Sequence, residues 1–562
     1  METIPPPAQR KTNSQNWAVR VGWIALILAT LYVCYFRNLG AIGFIGPDEP
    51  RYAWIARDMA ETGDWITPRL YGKPWFEKPP LYYWGAALSF KLFGVSEAAA
   101  RLPSAVCALL ATLAVAWLAW RIYGAETTRW LLLLLPTTVG MIGFSHAAAT
   151  DMPFSAMLTI AMVAAAVLLG LLPPSTTAPA PTSSSPSLTS FTSSTPFTSF
   201  LFGLFLGLAV LAKGPAALIL CGGAVLFWAI FTKRRCDALR LLHLAGIAAF
   251  CLAALPWYIL CALRNPDFFH IFIIEHNFKR FLTPEFQHLQ PFWFYGYVLP
   301  ISLLPWVGVF IWTVIVGLKR LRARQISAPA CFLLCWAGLC VVFFTISRSK
   351  LPGYILPAIP PIGLVLARAS ASLASTRYRS FSLASLAAAV PFACAFIPVI
   401  RGDERLLKKL VAFFFIVGLA LLLFALANLL LGALSLFSHR SAALVAAVVP
   451  ILMILLLLDQ ILPLTPVSIL SPRYIAYQIQ AEQIPLSNLH VSRLSRTTVY
   501  SLDFYLRTDL PEWDRDASRE VYVLSDGAAF SSRSPQGMTC SDLWGRIQST
   551  PNFELLHCTP KH

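Results

Sequence analysis

Long apolar runs dominate this sequence and decide what it can fold into. The first run, residues 17–36, is long enough to cross a bilayer as a helix, which takes roughly 20 residues. Hydrophobic residues make up 57% of the 562 residues and charged residues only 13%, whereas a soluble domain carries about 25% charged residues. The sequence therefore predicts an integral membrane protein rather than a soluble one.

Thirteen runs of this kind predict thirteen transmembrane helices. The first run has no A-x-A-type cleavage site and is longer than a signal-peptide core, so we expect it to be retained. The other twelve lie near residues 101–120, 129–145, 152–172, 199–213, 215–231, 240–262, 296–317, 328–346, 353–370, 380–400, 410–434 and 441–463. We therefore expect an all-α polytopic membrane domain over residues 1–463 and a separate domain over residues 464–562.

The net charge of +17 is accounted for by the orientation of these helices. With a cytoplasmic N-terminus, most basic residues of the short loops fall on the inner side, as the positive-inside rule requires. Nucleic-acid binding would need one contiguous basic face, but here the basic residues are dispersed between spans, so we expect no nucleic-acid partner. The same orientation places the loop over residues 40–100 and the C-terminal domain on the outer side.

Two regions lie outside this helical pattern. Residues 173–199 are mostly Ser, Thr, Pro and Ala, cannot bury a core, and are predicted to be a disordered cytoplasmic loop. The C-terminal domain contains runs typical of strands at residues 497–502 and 520–524, which predicts a small α/β domain. Its two cysteines, Cys540 and Cys558, either form a disulfide in an oxidising compartment or remain two free thiols, and the sequence leaves both open.

The outer loop, residues 40–100, is polar and aromatic, which a simple connector between spans does not need. Loops held by a rigid scaffold are where binding and catalytic groups concentrate. Its first part predicts a short helix over residues 49–62, with Asp48 as the N-cap and Gly63 as the end. Apolar side chains at spacings of three and four predict an amphipathic helix along the membrane surface. These side chains are Tyr52, Ile55, Ala56 and Met59.

The charged residues of this loop allow a structural and a chemical interpretation. Asp48 either only caps the helix or belongs to a site, and the run Asp48-Glu49-x-Arg51-Tyr52 favours a site because capping needs one acid. Two prolines after Glu77 and Lys78 fix an extended backbone, so we expect this pair to be presented to ligands. Lys78 either extends to the interface as membrane lysines commonly do or binds a lipid phosphate.

Further candidate groups lie on the same predicted side. Asp151 begins a span and either caps it or completes a pair with Asp48. A later outer loop contains His276, and a metal site would need this imidazole to converge with Glu77, which the sequence leaves open. Tyr354 follows a short basic run at residues 347–353 that adds phosphate-binding capacity.

Five motifs in this order resemble those of a known family. They are Asp48-Glu49-x-Arg51-Tyr52, Gly63-Asp64-Trp65, Phe76-Glu77-Lys78-Pro79-Pro80, His276-Asn277-Phe278-x-Arg280-Phe281 and Leu351-Pro352-Gly353-Tyr354-Ile355-Leu356-Pro357. The chain is similar to bacterial polytopic glycosyltransferases of the aminoarabinose transferase type, which are related to protein O-mannosyltransferases and have the GT-C fold. The Ser/Thr/Pro insert departs from the family pattern, and the region beyond Leu464 is only weakly similar.

The resemblance implies transfer of a sugar, 4-amino-4-deoxy-L-arabinose in the favoured case, from undecaprenyl phosphate. The acceptor implied is a phosphate of lipid A or another periplasmic glycan or protein, and the location is the periplasmic face of the inner membrane. Asp48 and Asp151 match active-site carboxylates, and the donor-phosphate ligands implied are Lys78, Arg280 and Tyr354. The other substrate-binding candidates are Glu49, Arg51, Tyr52, Glu77 and Tyr82. No cofactor is expected beyond the lipid-linked donor, with a divalent metal ion at Glu77 and His276 left open.

Two alternatives remain at this point. One is an enzyme like a protein O-mannosyltransferase, with another sugar or acceptor. The other is a transporter or flippase for a polyprenyl-linked substrate, which is expected to show repeated halves and broken helices at the bilayer midplane. The sequence shows no repeated halves, and its candidate charges lie at one face, which favours an enzyme.

Overall fold

The computed structural model describes residues 10–173, 195–279, 290–323, 325–376, 448, 452, 455–456, 471–513, 519–526, 538–544 and 553–560. The helices of the membrane domain are α1 (Arg10–Tyr35), α2 (Asp48–Thr62), α3 (Leu81–Phe93), α4 (Glu97–Tyr123), α5 (Ala125–Leu134), α6 (Val139–Ser145), α7 (Asp151–Leu168), α8 (Thr195–Lys213), α9 (Ala216–Thr232), α10 (Arg235–Ala238), α11 (Leu244–Arg264), the π-helical α12 (His270–Lys279), α13 (Phe294–Ser302), α14 (Val307–Arg322), α15 (Ala328–Ile346) and α16 (Ile359–Thr376). The C-terminal domain adds α17 (Arg473–Ala481) and α18 (Arg496–Leu506). The strands are β1 (Arg69–Leu70), β2 (Lys73–Pro74), β3 (Leu489–Ser492), β4 (Val521–Asp526), β5 (Met538–Asp542) and β6 (Phe553–Pro560).

Within these described ranges, six helices are long and apolar enough to cross a membrane. They are α4, α7, α8, α11, α15 and the span Pro352–Ser372, in which a 3-10 turn (Pro352–Ala358) leads into α16. The bent pairs α5–α6 and α13–α14 raise the number to as many as eight if each pair counts as one span. The chain is thus a multi-pass membrane protein, as the sequence predicts.

The predicted spans correspond to helices up to residue 372, but two of them are bent. The span predicted at 129–145 is divided into α5 and α6, which are bent by 60°, and the span predicted at 296–317 is divided into α13 and α14, which are bent by 118°. Pro300 lies inside α13 and Pro305 in the break, and proline donates no backbone hydrogen bond to continue a helix. The spans predicted at 380–400, 410–434 and 441–463 fall almost wholly outside the described residues, so the total of thirteen stays a prediction.

Helix α7 is the centre of the membrane domain, because it packs against both α4 and α8 and is buried over most of its length. Helix α8 in turn packs closely on α11, where a side chain on Gly203 would run into the backbone of Gly246. Small residues of this kind let transmembrane helices approach closely. The packing fixes the N-terminal end of α7, which carries Asp151, next to the C-terminal end of α8, which carries Lys213. Helix α8 begins at Thr195, and the remainder of the predicted disordered loop, residues 174–194, lies outside the described residues.

The outer loop folds into a compact unit of α2, the hairpin β1–β2 and α3. Helix α2 has the predicted extent, and Gly63 ends it in a left-handed conformation (φ 75°) while its backbone N–H donates to the Met59 carbonyl. Tyr52, Ile55 and Met59 are buried, as their spacing predicts, but they pack against α3 and Phe504 of α18. The prediction that this face lies on the membrane surface is therefore wrong, because other parts of the chain cover it.

The C-terminal domain is the predicted small α/β unit. Its four strands are ordered β3-β4-β6-β5, with β3 parallel to β4 and the other pairs antiparallel. Ile475 and Ile479 of α17 and Leu502 of α18 pack on this sheet. Cys540 and Cys558 stand opposite each other on β5 and β6 and form a disulfide, which decides between the two alternatives left open.

One of the two predicted strands of this domain is wrong. Residues 497–502 belong to helix α18, whose N-cap Ser495 accepts a hydrogen bond from the Thr498 backbone N–H. Buried residues at positions 498, 501, 502 and 506 follow a helical spacing, whereas the Thr and Val residues in the run favour strands when judged alone. The other prediction, at 520–524, is confirmed by β4.

Candidate active site

The site begins at the first turn of α2, where Asp48 and Arg51 are three residues apart. Arg51 donates to Asp48 Oδ1 at 2.5 Å. Pro47 occupies the N-cap position and makes no side-chain capping bond, so the interpretation of Asp48 as the cap is wrong. The Asp48 side chain is 48% exposed, and a carboxylate in this state is accessible to a ligand.

Arg51 is the centre of this first cluster. Besides Asp48, it pairs with Glu77 Oε2 at 2.9 Å, and Glu77 Oε1 in turn lies 3.6 Å from the ammonium of Lys78. Glu77 lies outside any strand but is buried, so it is an internal partner of the two cations rather than a presented acid. Burial alone would lower the pKa of Arg51, but the charges of Glu77 and Asp48 outweigh it and raise that pKa above its usual range.

Aromatic rings surround the same guanidinium. The Cζ atom of Arg51 lies 5.2 Å from the ring centre of Tyr52, 5.4 Å from Trp75 and 5.9 Å from Tyr500. Such distances are within the range of cation–π attraction. The phenol of Tyr52 is fully buried near two carboxylates, and burial together with the charges of Glu77 and Asp48 raises its pKa well above the usual value. Tyr52 therefore stays neutral at physiological pH.

Several hydrogen-bond donors in this cluster have no acceptor within the described part of the chain. They are buried and comprise Arg51 Nε, Trp75 Nε1 and the hydroxyl of Tyr83. Buried polar groups are nearly always hydrogen-bonded. An oxygen-rich ligand or ordered water would supply acceptors for these three donors.

A second cluster lies where α7 and α8 meet the 3-10 turn before α16. Asp151, the first residue of α7, forms an ion pair with Lys213, the last residue of α8. The Lys213 ammonium also lies 4.3 Å from the ring centre of Tyr354. Gly353 makes this approach feasible, because a Cβ atom there would lie 2.5 Å from Asp151 Oδ1. The structure thus brings two predicted site residues, Asp151 and Tyr354, together around a lysine.

Glu49 differs from the other predicted substrate ligands in its hydrogen-bond partners. One of its oxygens accepts from Arg101 Nε at 3.0 Å and from the Ala148 backbone N–H at 2.7 Å. The other accepts from Arg101 Nη2 and from the Ile45 backbone N–H, both at 2.8 Å. Four donors saturate the carboxylate, which ties α2 to α4 and to the loop before α7. Glu49 and Arg101 form one wall of a cavity of about 350 Å³ that His146 also lines.

Tyr82 also serves the scaffold. Its side chain is fully buried, and its hydroxyl donates to the Ala100 carbonyl at 2.9 Å. Its ring packs against Tyr52 and Tyr83, with ring centres 6.2 Å and 6.0 Å away. Tyr82 therefore supports the first cluster from behind rather than facing a ligand.

The metal site expected from Glu77 and His276 has no structural counterpart among the described side chains. No group of three or more His, Cys, Asp and Glu side chains comes together in that part of the chain. Glu77 is engaged by Arg51. His276 lies in α12, but its side chain is outside the described set, as is the whole of Arg280.

Sequence reasoning missed three residues of these clusters. Lys213 is absent from the predicted site, although a lysine at the end of an apolar run is a signal for a buried ion pair. Trp75 lies within the recognised outer loop. Tyr500 lies in a run that the sequence predicts to be a strand of the C-terminal domain. Only the tertiary fold brings it to Arg51.

The known proteins that this chain matches agree with the predicted resemblance. Residues 21–272 match the family model of dolichyl-phosphate-mannose-protein mannosyltransferases. The chain is 33% identical over 330 residues to the undecaprenyl phosphate-alpha-4-amino-4-deoxy-L-arabinose arabinosyl transferase of Aeromonas salmonicida, covering 58% of this chain and 56% of that one. It is 32% identical over 355 residues to the protein of the same name from Erwinia tasmaniensis, covering 63% and 60%.

A solved structure extends the likeness to almost the whole fold. ArnT from Cupriavidus metallidurans bound to undecaprenyl phosphate superimposes with a TM-score of 0.76 and 22% identity, covering 95% of this chain and 98% of that one. The predicted fold, a polytopic helical domain with a small C-terminal α/β domain, is thereby confirmed, and the sequence matches confirm the predicted resemblance to the aminoarabinose transferases. In sequence, the matched region spans little more than half of the Aeromonas relative, 56% of its length.

Proposed function

We propose that this chain is a membrane glycosyltransferase that moves 4-amino-4-deoxy-L-arabinose from undecaprenyl phosphate to a phosphate of lipid A. The proposal includes a site at the periplasmic face of the bacterial inner membrane. The observation that carries it is that the match over residues 21–272 includes Asp48, Lys78, Asp151 and Lys213. The curated relatives described above carry the corresponding name, and this supports the choice of sugar and donor.

The first cluster suits cleavage of a sugar–phosphate bond. As this bond breaks, negative charge grows on the departing polyprenyl phosphate, and a fixed cation directed at that oxygen stabilises the transition state. Lys78 takes this role. Its ammonium lies 3.6 Å from Glu77 Oε1, and Arg51 lies 2.9 Å from the other oxygen of the same carboxylate, so both cations stand beside one buried acid. Arg280 is the second phosphate ligand in this proposal, on the strength of the motif resemblance alone.

Asp48 acts on the acceptor side of the reaction. A lipid A phosphate is already ionised at neutral pH and needs no base, so Asp48 orients the acceptor or stabilises positive charge that develops on the sugar ring. With a hydroxyl acceptor, the same carboxylate would serve as general base. Its exposure of 48% and its tie to Arg51 support either role, because the carboxylate is both reachable and held in place.

The second cluster holds the other carboxylate of the site. Lys213 neutralises Asp151 and lies over the ring of Tyr354, so the three groups form one positioned unit. In the proposed reaction, Tyr354 contacts the donor phosphate and Asp151 fixes the lysine that faces it. This assignment keeps the donor-phosphate role that the motifs imply for Tyr354, changes Asp151 from an active-site carboxylate to a positioning residue, and adds Lys213 as a cation near the donor.

A second candidate function is transfer of a sugar from a polyprenyl phosphate to a protein. The match to the mannosyltransferase family model favours it. The two candidates share the donor chemistry and differ only in the acceptor and the sugar.

To test this proposal, the chain is expressed in a bacterial strain that cannot add aminoarabinose to lipid A. The lipid A is then analysed by mass spectrometry. We expect the aminoarabinose modification with the natural chain and none with Asp48→Asn. Glycosylated periplasmic protein with unmodified lipid A would establish the second candidate instead. Unmodified lipid A and protein, despite correct insertion of the chain, would contradict both.

A further inference from the structure

Helix α18 of the C-terminal domain extends into the first cluster. The ring of Tyr500 lies 5.9 Å from the Cζ atom of Arg51 and 6.4 Å from the ring of Tyr71, on which it stacks. Arg51 is therefore bounded by rings from two sources, Trp75 of the outer loop and Tyr500 of the C-terminal domain. An arginine between aromatic faces loses freedom of movement, because each ring attracts the flat guanidinium.

A buried hydrogen bond sets the position of this helix relative to the loop. Tyr71, at the turn of the hairpin β1–β2, donates its hydroxyl to Asp503 Oδ2 at 2.5 Å. The other oxygen of Asp503 accepts from the Leu510 backbone N–H at 3.0 Å. Asp503 is fully buried, so both oxygens are satisfied only while the hairpin and α18 stay together.

Contacts farther along the interface hold the domain in the same place. Phe44 packs edge-on against Phe504 with ring centres 4.9 Å apart, and the Phe44 backbone N–H donates to the Tyr505 hydroxyl at 3.0 Å. Arg473 pairs with Glu97 at 3.1 Å. Together these contacts make the position of Tyr500 a fixed property of the fold rather than of a loosely attached tail.

We propose that the C-terminal domain completes the active site, with Tyr500 as a positioning residue that holds Arg51, and through it Asp48 and Glu77, in the geometry needed for transfer. The Tyr71–Asp503 hydrogen bond keeps α18 in register for this purpose. The inference rests on the proposed function, since it assigns a role within that reaction. Tyr500 itself touches neither the donor nor the acceptor in this account.

The test compares three substitutions in the purified full-length protein, using an undecaprenyl phosphate-linked sugar and lipid A. Tyr500→Phe keeps the ring and is expected to retain the natural kcat. Tyr500→Leu removes the ring face and is expected to lower kcat roughly 3- to 30-fold, the size of a partly buried cation–π contact, with little change in donor KM. Tyr477→Leu is the matched control, because Tyr477 belongs to the same domain and is exposed, and it is expected to leave kcat unchanged.

A double-mutant cycle separates positioning from a merely structural role. If Tyr500 acts through Arg51, then Tyr500→Leu adds no further loss in an Arg51→Gln background. Additive losses, or equal losses in Tyr500→Phe and Tyr500→Leu, would overturn the inference. A natural chain without transfer activity would instead count against the proposed function, so the two failures are distinguishable.

Discussion

At the scale of single residues, each acid of the candidate site has a basic partner, and the acids differ in how much they leave reachable. Glu77 is buried between Arg51 and Lys78, and Glu49 is saturated by four donors. Asp48 stays about half exposed, at 48%. Of these three acids, Asp48 therefore has the most accessible side chain, which supports its proposed role.

Asp48→Asn is expected to abolish transfer while leaving the protein folded. Asp48 is half exposed, Arg51 keeps its pairing with Glu77, and Pro47 rather than Asp48 is at the N-cap, so the melting temperature should hardly change. The loss of rate is expected to be on the order of 100-fold or more. Glu61→Gln on the same helix is the control, because Glu61 is exposed and pairs with Arg57, away from the first cluster. Substantial turnover by Asp48→Asn would reduce Asp48 to a structural residue.

Asp503 is expected to make the stability of the C-terminal domain depend on pH. Burial raises the pKa of its carboxyl to about 7, helped by the charge of Asp509, although the hydrogen bonds from Tyr71 and Leu510 oppose the shift. The folded protein then holds the proton more tightly than the unfolded chain. The stability that the Asp503 carboxyl contributes is fully present at pH values below its usual pKa near 3.8. This stability is lost as the pH rises through about 7.

Thermal unfolding of the natural chain and of Asp503→Asn across this range measures the effect. We expect the natural chain to lose stability relative to Asp503→Asn as the pH rises from about 4 to about 8, since asparagine does not ionise. A difference between the two proteins that is constant over this range would show that Asp503 does not titrate there.

At the scale of elements, the sequence predicts most helices but not how they meet. Helix α2 is predictable because Gly63 and the spacing of Tyr52, Ile55 and Met59 are local signals. Helix α18 is not, because the Thr and Val residues at its start favour a strand and the Ser495 cap is a weaker local cue. The bend between α13 and α14 depends on prolines inside an otherwise continuous apolar run.

The same distinction holds for the candidate site. Asp48, Arg51, Glu77 and Lys78 are found from the sequence because they lie close together in one unusual loop. The pairing of Asp151 with Lys213 depends on how α7 packs on α8, and the approach of Tyr500 depends on a domain more than 400 residues farther along the chain. No local pattern carries such information.

Gly353→Ala, a substitution in the 3-10 turn before α16, is expected to disrupt the second cluster. A methyl group there would meet the Asp151 carboxylate and the ring of Phe144 at 2.8 Å or less, which is closer than real Cβ atoms approach other groups. Asp151 would move away from its pairing with Lys213, and transfer should fall while membrane insertion persists. Gly338→Ala in α15 is the control, because nothing lies within 4 Å of its added Cβ. Equal activity of both variants would contradict the importance of this packing.

At the scale of the whole molecule, we place the outer loop, both clusters and the C-terminal domain on one face of the membrane. The contacts of α18 with α2 and the hairpin require the loop and the domain to share that face. The predicted orientation makes it the outer face, with the loop around Cys236 on the inner one.

Thiol labelling tests this orientation. In a variant without the other cysteines, Cys540 and Cys558 should react with a membrane-impermeant reagent from outside intact inner membranes, but only after their disulfide is reduced. Cys236 is exposed in the structure and, as a single cysteine, should react only after the membrane is opened. The reverse pattern would invert the topology and move the site to the cytoplasmic side.

The most direct test of the central claim is acceptor-dependent release of undecaprenyl phosphate. The purified chain in lipid nanodiscs is incubated with undecaprenyl phosphate-linked aminoarabinose, with and without lipid A, and the free lipid phosphate is measured by mass spectrometry. The account predicts release together with aminoarabinose-modified lipid A only when lipid A is present, and a greatly reduced rate with Lys78→Ala. Donor that stays intact with every acceptor, lipid A and protein alike, would contradict the assignment of this chain as a glycosyltransferase.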